Sequence, residues 1–156
     1  MSDKDESENA ALSTFVGDKY SSYYEKKWQL NSGQLKGFNV AAFFLGVVWL
    51  IYRKMYIYAL IFIMLIGLDI WIETYYPLPD SVGSAINIAI ATTFGILGNT
   101  LYKTHAEKKV KEILSATSAA DLQLELNKKG GTNLAGAIAF GTIILLIIAY
   151  GVLSLS

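Results

Sequence analysis

Cysteine is absent from this chain of 156 residues. That excludes disulfides, thiolate nucleophiles and thiolate metal sites together. Histidine occurs once, at His105. One imidazole is not a metal site, and no Ser, Asp or Cys stands at a telling spacing from it, so no catalytic set or cofactor site is read here. Net charge is also lacking, because 13 basic residues face 13 acidic ones. No bulk field therefore exists to attract nucleic acid. Nor does Met1–Glu8 read as a signal peptide: it is acidic, and no apolar h-region follows. Insertion into a membrane would then fall to internal segments.

Those segments are plentiful. Apolar residues make up 53% of the chain, and mean hydropathy is +0.39, against about 45–50% apolar in ordinary soluble domains. The excess lies in blocks, while charges crowd into residues 1–36 and 103–129. A soluble core would interleave the two at helical or strand period. Segregation points to a bilayer solvent and to an all-α membrane protein.

Residues 1–13 are polar and acidic, and are expected to be a disordered tail. Residues 14–33 read as an amphipathic helix, with Val16, Tyr20, Tyr23, Tyr24 and Trp28 on one face and Asn31, Ser32 and Gly33 ending it. That face suits either the membrane interface or packing on the rest of the protein. The membrane domain follows over 34–156. Its first block, 38–52, has 15 residues, about 22 Å as a helix and short of the ~30 Å hydrocarbon core. Spans are predicted over 55–72, 82–102 and 133–153, with a loop at 73–81 holding Pro77 and Pro79, and a helical cytoplasmic loop at 103–132.

Lysine and arginine in short loops mark the cytoplasmic side. The 73–81 loop has neither, whereas 103–132 carries six lysines, and Arg53 and Lys54 follow the first block. These assignments agree only if 38–52 starts and ends on the cytoplasmic side, as a re-entrant or interfacial wedge. Three crossings result, with the N-terminus cytoplasmic and the C-terminus outside. Four crossings would put one lysine-rich segment on the wrong face.

The run Phe38-Asn39-Val40-Ala41-Ala42-Phe43-Phe44-Leu45-Gly46, then Trp49 and Tyr52-Arg53-Lys54-Met55-Tyr56, resembles domain-of-unknown-function family 2628. Phe15-Val16-Gly17, Tyr23-Tyr24 and Lys27-Trp28 are similar to that family's opening helix. Gly98-Asn99, Leu101-Tyr102 and His105 resemble its juxtamembrane segment, and Gly130-Gly131-Thr132 the turn before its last helix. Val47-Val48 departs from the pattern, where a bulky residue or Pro would be expected before the Trp. The resemblance covers most of residues 14–140 and implies a small bacterial inner-membrane protein, with no activity to carry over.

Few polar residues are candidates for function. Asp69 is the one acid within an apolar block, and Glu73 lies at i+4 on the same face. Two carboxylates there can bind a cation or relay protons, or can sit in the wet interface beside Trp71, Tyr75 and Tyr76. Gly83, Asn87, Ala91, Gly95 and Asn99 form a small-and-polar stripe, as do Asn133, Ala137 and Gly141, a pattern that serves close helix packing or, alternatively, a permeation path. Trp28, Trp49, Tyr52, Arg53 and Lys54 are candidate lipid or interface contacts. The expected function is non-enzymatic, through membrane lipids, a membrane-protein partner or a homo-oligomer. The alternative is a subunit of an oligomeric ion or proton channel or transporter using Asp69 and Glu73. An enzyme working near His105 ranks last.

Overall fold

The computed structural model describes residues 3–28 and 37–155. The fold is all-α, without strands among the described residues. Eight α-helices follow in order: α1 Asp3–Val16, α2 Glu25–Trp28, α3 Val40–Leu45, α4 Val47–Tyr52, α5 Tyr56–Tyr75, α6 Asp80–Ala116, α7 Leu122–Lys129 and α8 Leu134–Leu155. A π-helical turn, Tyr20–Tyr24, leads into α2. Three of these helices, α5, α6 and α8, are long and apolar enough to cross a membrane.

The first correction concerns the amino-terminal tail. Residues from Asp3 onward form α1 instead of a disordered segment. Its own sequence is polar, but Ala11, Phe15 and Val16 are buried where α1 meets α6 and α7. Tertiary burial thus orders a segment that composition alone would leave loose. A continuous helix from residue 14 does not form either. Gly17 (φ +76°) closes α1, and its N–H donates to Ser13 O at 3.0 Å. The chain re-enters helix through the wide π turn, which sets Tyr20, Tyr24 and Trp28 on one buried face. The expected stop at Asn31, Ser32 and Gly33 lies outside the described residues.

The first apolar block is broken in two. Gly46 (φ +45°) separates α3 from α4, six residues each, in a conformation open to glycine and costly for side chains. Asn39 caps α3, its Oδ1 accepting from Ala42 N at 2.9 Å. Arg53-Lys54-Met55 closes α4. Met55 N donates to Leu50 O and Lys54 N to Ile51 O, with Lys54 left-handed at φ +57°. This is the Schellman arrangement, with lysine where glycine is usual. The Lys54 ammonium donates to Lys128 O (3.0 Å) and to Gly130 O, at the carboxyl end of α7.

The loop predicted at 73–81 shrinks to 76–79, because α5 continues through Tyr75 and α6 starts at Asp80. The polar extension of α6 is continuous with its apolar half, and 37 residues make about 55 Å of helix. Its two halves meet different surroundings. Beyond the apolar block, Tyr102, Ala106, Val110 and Ile113 recur at three- and four-residue steps and are buried under α1, α2 and α7. Within the block, most residues are exposed or only partly covered.

Packing is therefore concentrated at one end. α3 lies against α6, and α4 lies between α5 and α8. Asn133 N donates to Tyr52 O at 2.8 Å, and Gly131 N to Phe15 O at 2.7 Å. The amino-terminal helices, the α4–α5 corner and the 117–133 segment are thus gathered together. Away from that end α5 and α6 are joined by the 76–79 turn. Between them lies an apolar cleft of about 450 Å³, lined by residues such as Tyr58, Ile61, Ile90 and Phe94.

Candidate functional site

Two buried asparagines join three segments at the packed end. Asn99 on α6 is wholly buried, and Asn39 nearly so. Asn39 Nδ2 donates to Asn99 Oδ1 at 2.9 Å, and Asn99 Nδ2 donates to Gly37 O at 3.0 Å. Trp28 Nε1 donates to Asn99 O at 3.1 Å, and Asn39 N to Gly95 O at 2.7 Å. The lower part of the small-residue stripe on α6 lets α3 approach this closely. A Cβ on Gly98 would stand 2.8 Å from that of Ala42. Asn99 is thus an internal tie that holds the amino-terminal aromatic helix and α3 to one helix.

Below it lies an aromatic box around a buried cation. The Arg53 guanidinium sits over the rings of Tyr24 (4.7 Å), Tyr102 (4.9 Å) and Tyr52 (5.3 Å). Trp28 and Trp49 pack on Tyr102 with ring centroids 5.8 and 6.3 Å apart. Arg53 is 5% exposed, and its Nε and Nη1 make no hydrogen bond. Among the described residues no carboxylate pairs with it. Ring quadrupoles offset part of the desolvation, a task that suits a planar, weakly hydrated guanidinium better than an ammonium. Burial pushes the Tyr24 hydroxyl up to about 12, while the Arg53 charge beside it pulls the other way. Trp28, Trp49 and Arg53, expected as lipid or interface contacts, are therefore interior groups. Tyr52 and Lys54 are half-buried, and the Lys54 ammonium is spent partly on α7 carbonyls.

A match to one family model spans residues 5–108 and carries the description Protein of unknown function (DUF2628). The chain belongs to the DUF2628 family. The matched stretch runs from the first turn of α1 past His105, and holds every residue of the asparagine tie and the aromatic box. It begins earlier than the expected opening helix and stops short of Gly130-Gly131-Thr132. No curated protein and no solved structure matches the chain significantly.

The remaining candidates of this DUF2628 chain fall in separate places. His105 lies on α6 one turn past the apolar block, half-buried, with its ring edge-on to Tyr58 at 5.8 Å. Burial, with Lys109 close by, holds it below the ordinary imidazole value. At the far end, Glu73 and Asn87 are exposed and border a recess with Pro77, Pro79, Asp80 and Gly83. Asp69 is half-buried and does not line that recess. Asp69 and Glu73 gain no third ligand: among the described residues no three His, Asp or Glu gather as a metal site. In α8, Asn133 is an N-cap, its Oδ1 accepting from Gly136 N at 2.9 Å while its Nδ2 donates to Tyr56 Oη at 3.0 Å. Ala137 is buried, and Gly141 faces Val48 of α4.

Sequence reasoning missed the partnership of Arg53 with Tyr24 and Tyr102. A signal was present, since Tyr24, Trp28 and Trp49 were each visible as aromatic positions. What they surround depends on contacts between residues far apart in the sequence, which no local pattern reports.

Proposed function

We propose that this DUF2628 chain is an integral protein of a bacterial cytoplasmic membrane that acts through contacts with lipids and membrane proteins, without enzymatic turnover. One observation carries the proposal: among the described residues α5 and α8 bury a single side chain each, Ala59 and Ala137, while most of their other side chains are apolar and exposed. Soluble monomers rarely expose contiguous apolar surface beyond a few hundred Å². A bilayer or a membrane-embedded partner would cover two such helices along their length.

Charge and contact together support an orientation. Arg53, Lys54 and the six lysines of 103–132 gather at the packed end, the 76–79 turn carries none, and lysines favour the cytoplasmic face. Three crossings result, with 38–52 a wedge entering and leaving on the cytoplasmic side. A four-crossing chain would place α1 and α7 on opposite faces, whereas the Gly131–Phe15 hydrogen bond draws them together. The test is alkaline carbonate extraction followed by flotation with membranes. Retention in the floating fraction supports the proposal, and release into the aqueous fraction refutes it.

The grouping of Glu73, Asp80 and Asn87 around one recess favours, as a second reading, an oligomeric ion or proton path that includes Asp69. Liposome flux separates the two. Flux that Asp69→Asn abolishes would replace the contact reading by the conducting one.

A further inference from the structure

A cleft of about 440 Å³ opens at the start of α5, lined by Lys54, Tyr56, His105, Lys109, Lys128 and Lys129. Its volume falls in the range of small-molecule sites. Its charge is uneven. Lys109 pairs with Glu112 at 2.7 Å and Lys129 with Glu125 at 3.1 Å, but among the described residues Lys54 and Lys128 form no ion pair. Four ammonium groups thus meet two carboxylates. Both glutamates are pulled aside along their own helices, at i+3 and i−4 from the lysines they pair with, and neither lines the cleft. Lys54 is held in place by its bonds to Lys128 O and Gly130 O, which leave one of its three N–H groups to point elsewhere. The Tyr56 hydroxyl, held by Asn133, adds a neutral donor.

The position matters as much as the charge. Tyr56 is the first residue of α5, so the cleft sits where an apolar helix begins, and Ile57 and Leu60 are exposed just beyond it. Basic pockets at the cytoplasmic ends of membrane helices suit anionic headgroups, whose acyl chains then lie along the helices.

We infer that this cleft is a binding site for the phosphate-bearing headgroup of an anionic lipid. The inference rests on the membrane reading proposed above. Its chemistry is that of a phosphate held by ammonium groups, which a free phosphate shares, so the experiment must separate the two sources.

The protein is reconstituted into phosphatidylcholine bilayers containing trace spin-labelled phosphatidic acid or spin-labelled phosphatidylcholine, and motionally restricted label is quantified. The expected result is preferential restriction of phosphatidic acid. Lys128→Gln should lower that preference about fivefold, from about 1 kcal/mol per basic residue at a membrane surface. Lys109→Gln with Lys128→Gln should nearly abolish it, whereas Lys108→Gln with Lys111→Gln, which removes equal charge outside the cleft, should change it little. Equal losses in the two double variants, or no preference in the parent protein, would overturn the inference. Inorganic phosphate is then compared with sodium chloride at matched ionic strength. Release of the label by phosphate alone would make this a free-phosphate site and overturn the lipid assignment. Failure of the protein to float with the vesicles would instead sink the membrane reading, a result visible before any label is measured.

Discussion

Replacing Asn99 with leucine tests the internal tie most cleanly, because the two side chains are close in volume and the change is mainly polar. Asn99 is fully buried, and the substitution strands two groups, Asn39 Nδ2 and Gly37 O. A buried group left without its partner costs about 1–3 kcal/mol in a protein interior. Interhelical hydrogen bonds within membranes are worth less, about 0.6 kcal/mol on average and about 1.7 at most. Asn99 lies between these regimes, at the packed end, where Trp28, Asn39 and Ala42 are also buried. A total of about 2–4 kcal/mol follows for the pair. For a chain of this size each kcal/mol moves Tm by roughly 2–4 °C, so Tm should fall by about 4–16 °C. The assay is thermal unfolding in lipid nanodiscs, followed by tryptophan emission, since Trp28 donates to Asn99 O. Adding Asn39→Leu should cost less than the sum of the single effects, because the two side chains share one bond. A Tm within about 2 °C of the parent protein, about half the smallest shift expected, or strict additivity of the pair, would refute the reasoning.

Other consequences follow from contacts of different stiffness. Gly98→Ala should destabilise by about 1–3 kcal/mol, because the new Cβ meets the immobile Ala42 Cβ at 2.8 Å. Gly95→Ala should cost less, since it meets the Phe38 ring, which is 43% exposed and can turn outward; thermal unfolding in the opposite order would contradict this. Gly130→Ala would drive a Cβ to 2.1 Å from Phe15 O, a backbone atom, so α1 should detach and residues 6–16 should lose hydrogen-exchange protection while α8 keeps its own. The Tyr24 hydroxyl, raised by burial to about 12, binds its proton more tightly folded than unfolded. Its stabilising contribution is full below about pH 10 and is lost as pH rises toward 12. Alkaline unfolding curves should show that loss, and Tyr24→Phe should flatten it.

Much of the fold was legible because apolar and charged residues separate into long blocks. Block length distinguished 38–52 from the three long helices, and Gly46 then divides that block further. The stripe Gly95–Asn99 was legible as close packing, but α3 as its partner was not, since helical spacing reveals a face and never what faces it. The amino terminus was misread for a related reason. Residues 1–13 carry too little apolar surface to fold alone, and among the described residues Ala11 and Leu12, with Phe15 and Val16 just beyond, show where α1 docks. The stripe Tyr102, Ala106, Val110 and Ile113 was present at helical period among lysines, masked by charges on the other faces of α6. The basic cleft could be anticipated as a surplus of lysine, but its shape depends on how the α7 end lies against the α4–α5 corner.

The central claim is that the chain crosses the membrane three times, with 38–52 turning back on the cytoplasmic side. The absence of cysteine from the sequence makes each introduced cysteine unique, so labelling of intact cells with a membrane-impermeant maleimide measures this directly. Ser21, Ser81, Ser118 and Ser154 are exposed positions for single replacements. Three crossings predict that cysteines at 81 and 154 label in intact cells, while those at 21 and 118 label only after permeabilisation. Opposite accessibility of positions 21 and 118 would mean that 38–52 crosses, and would contradict the account.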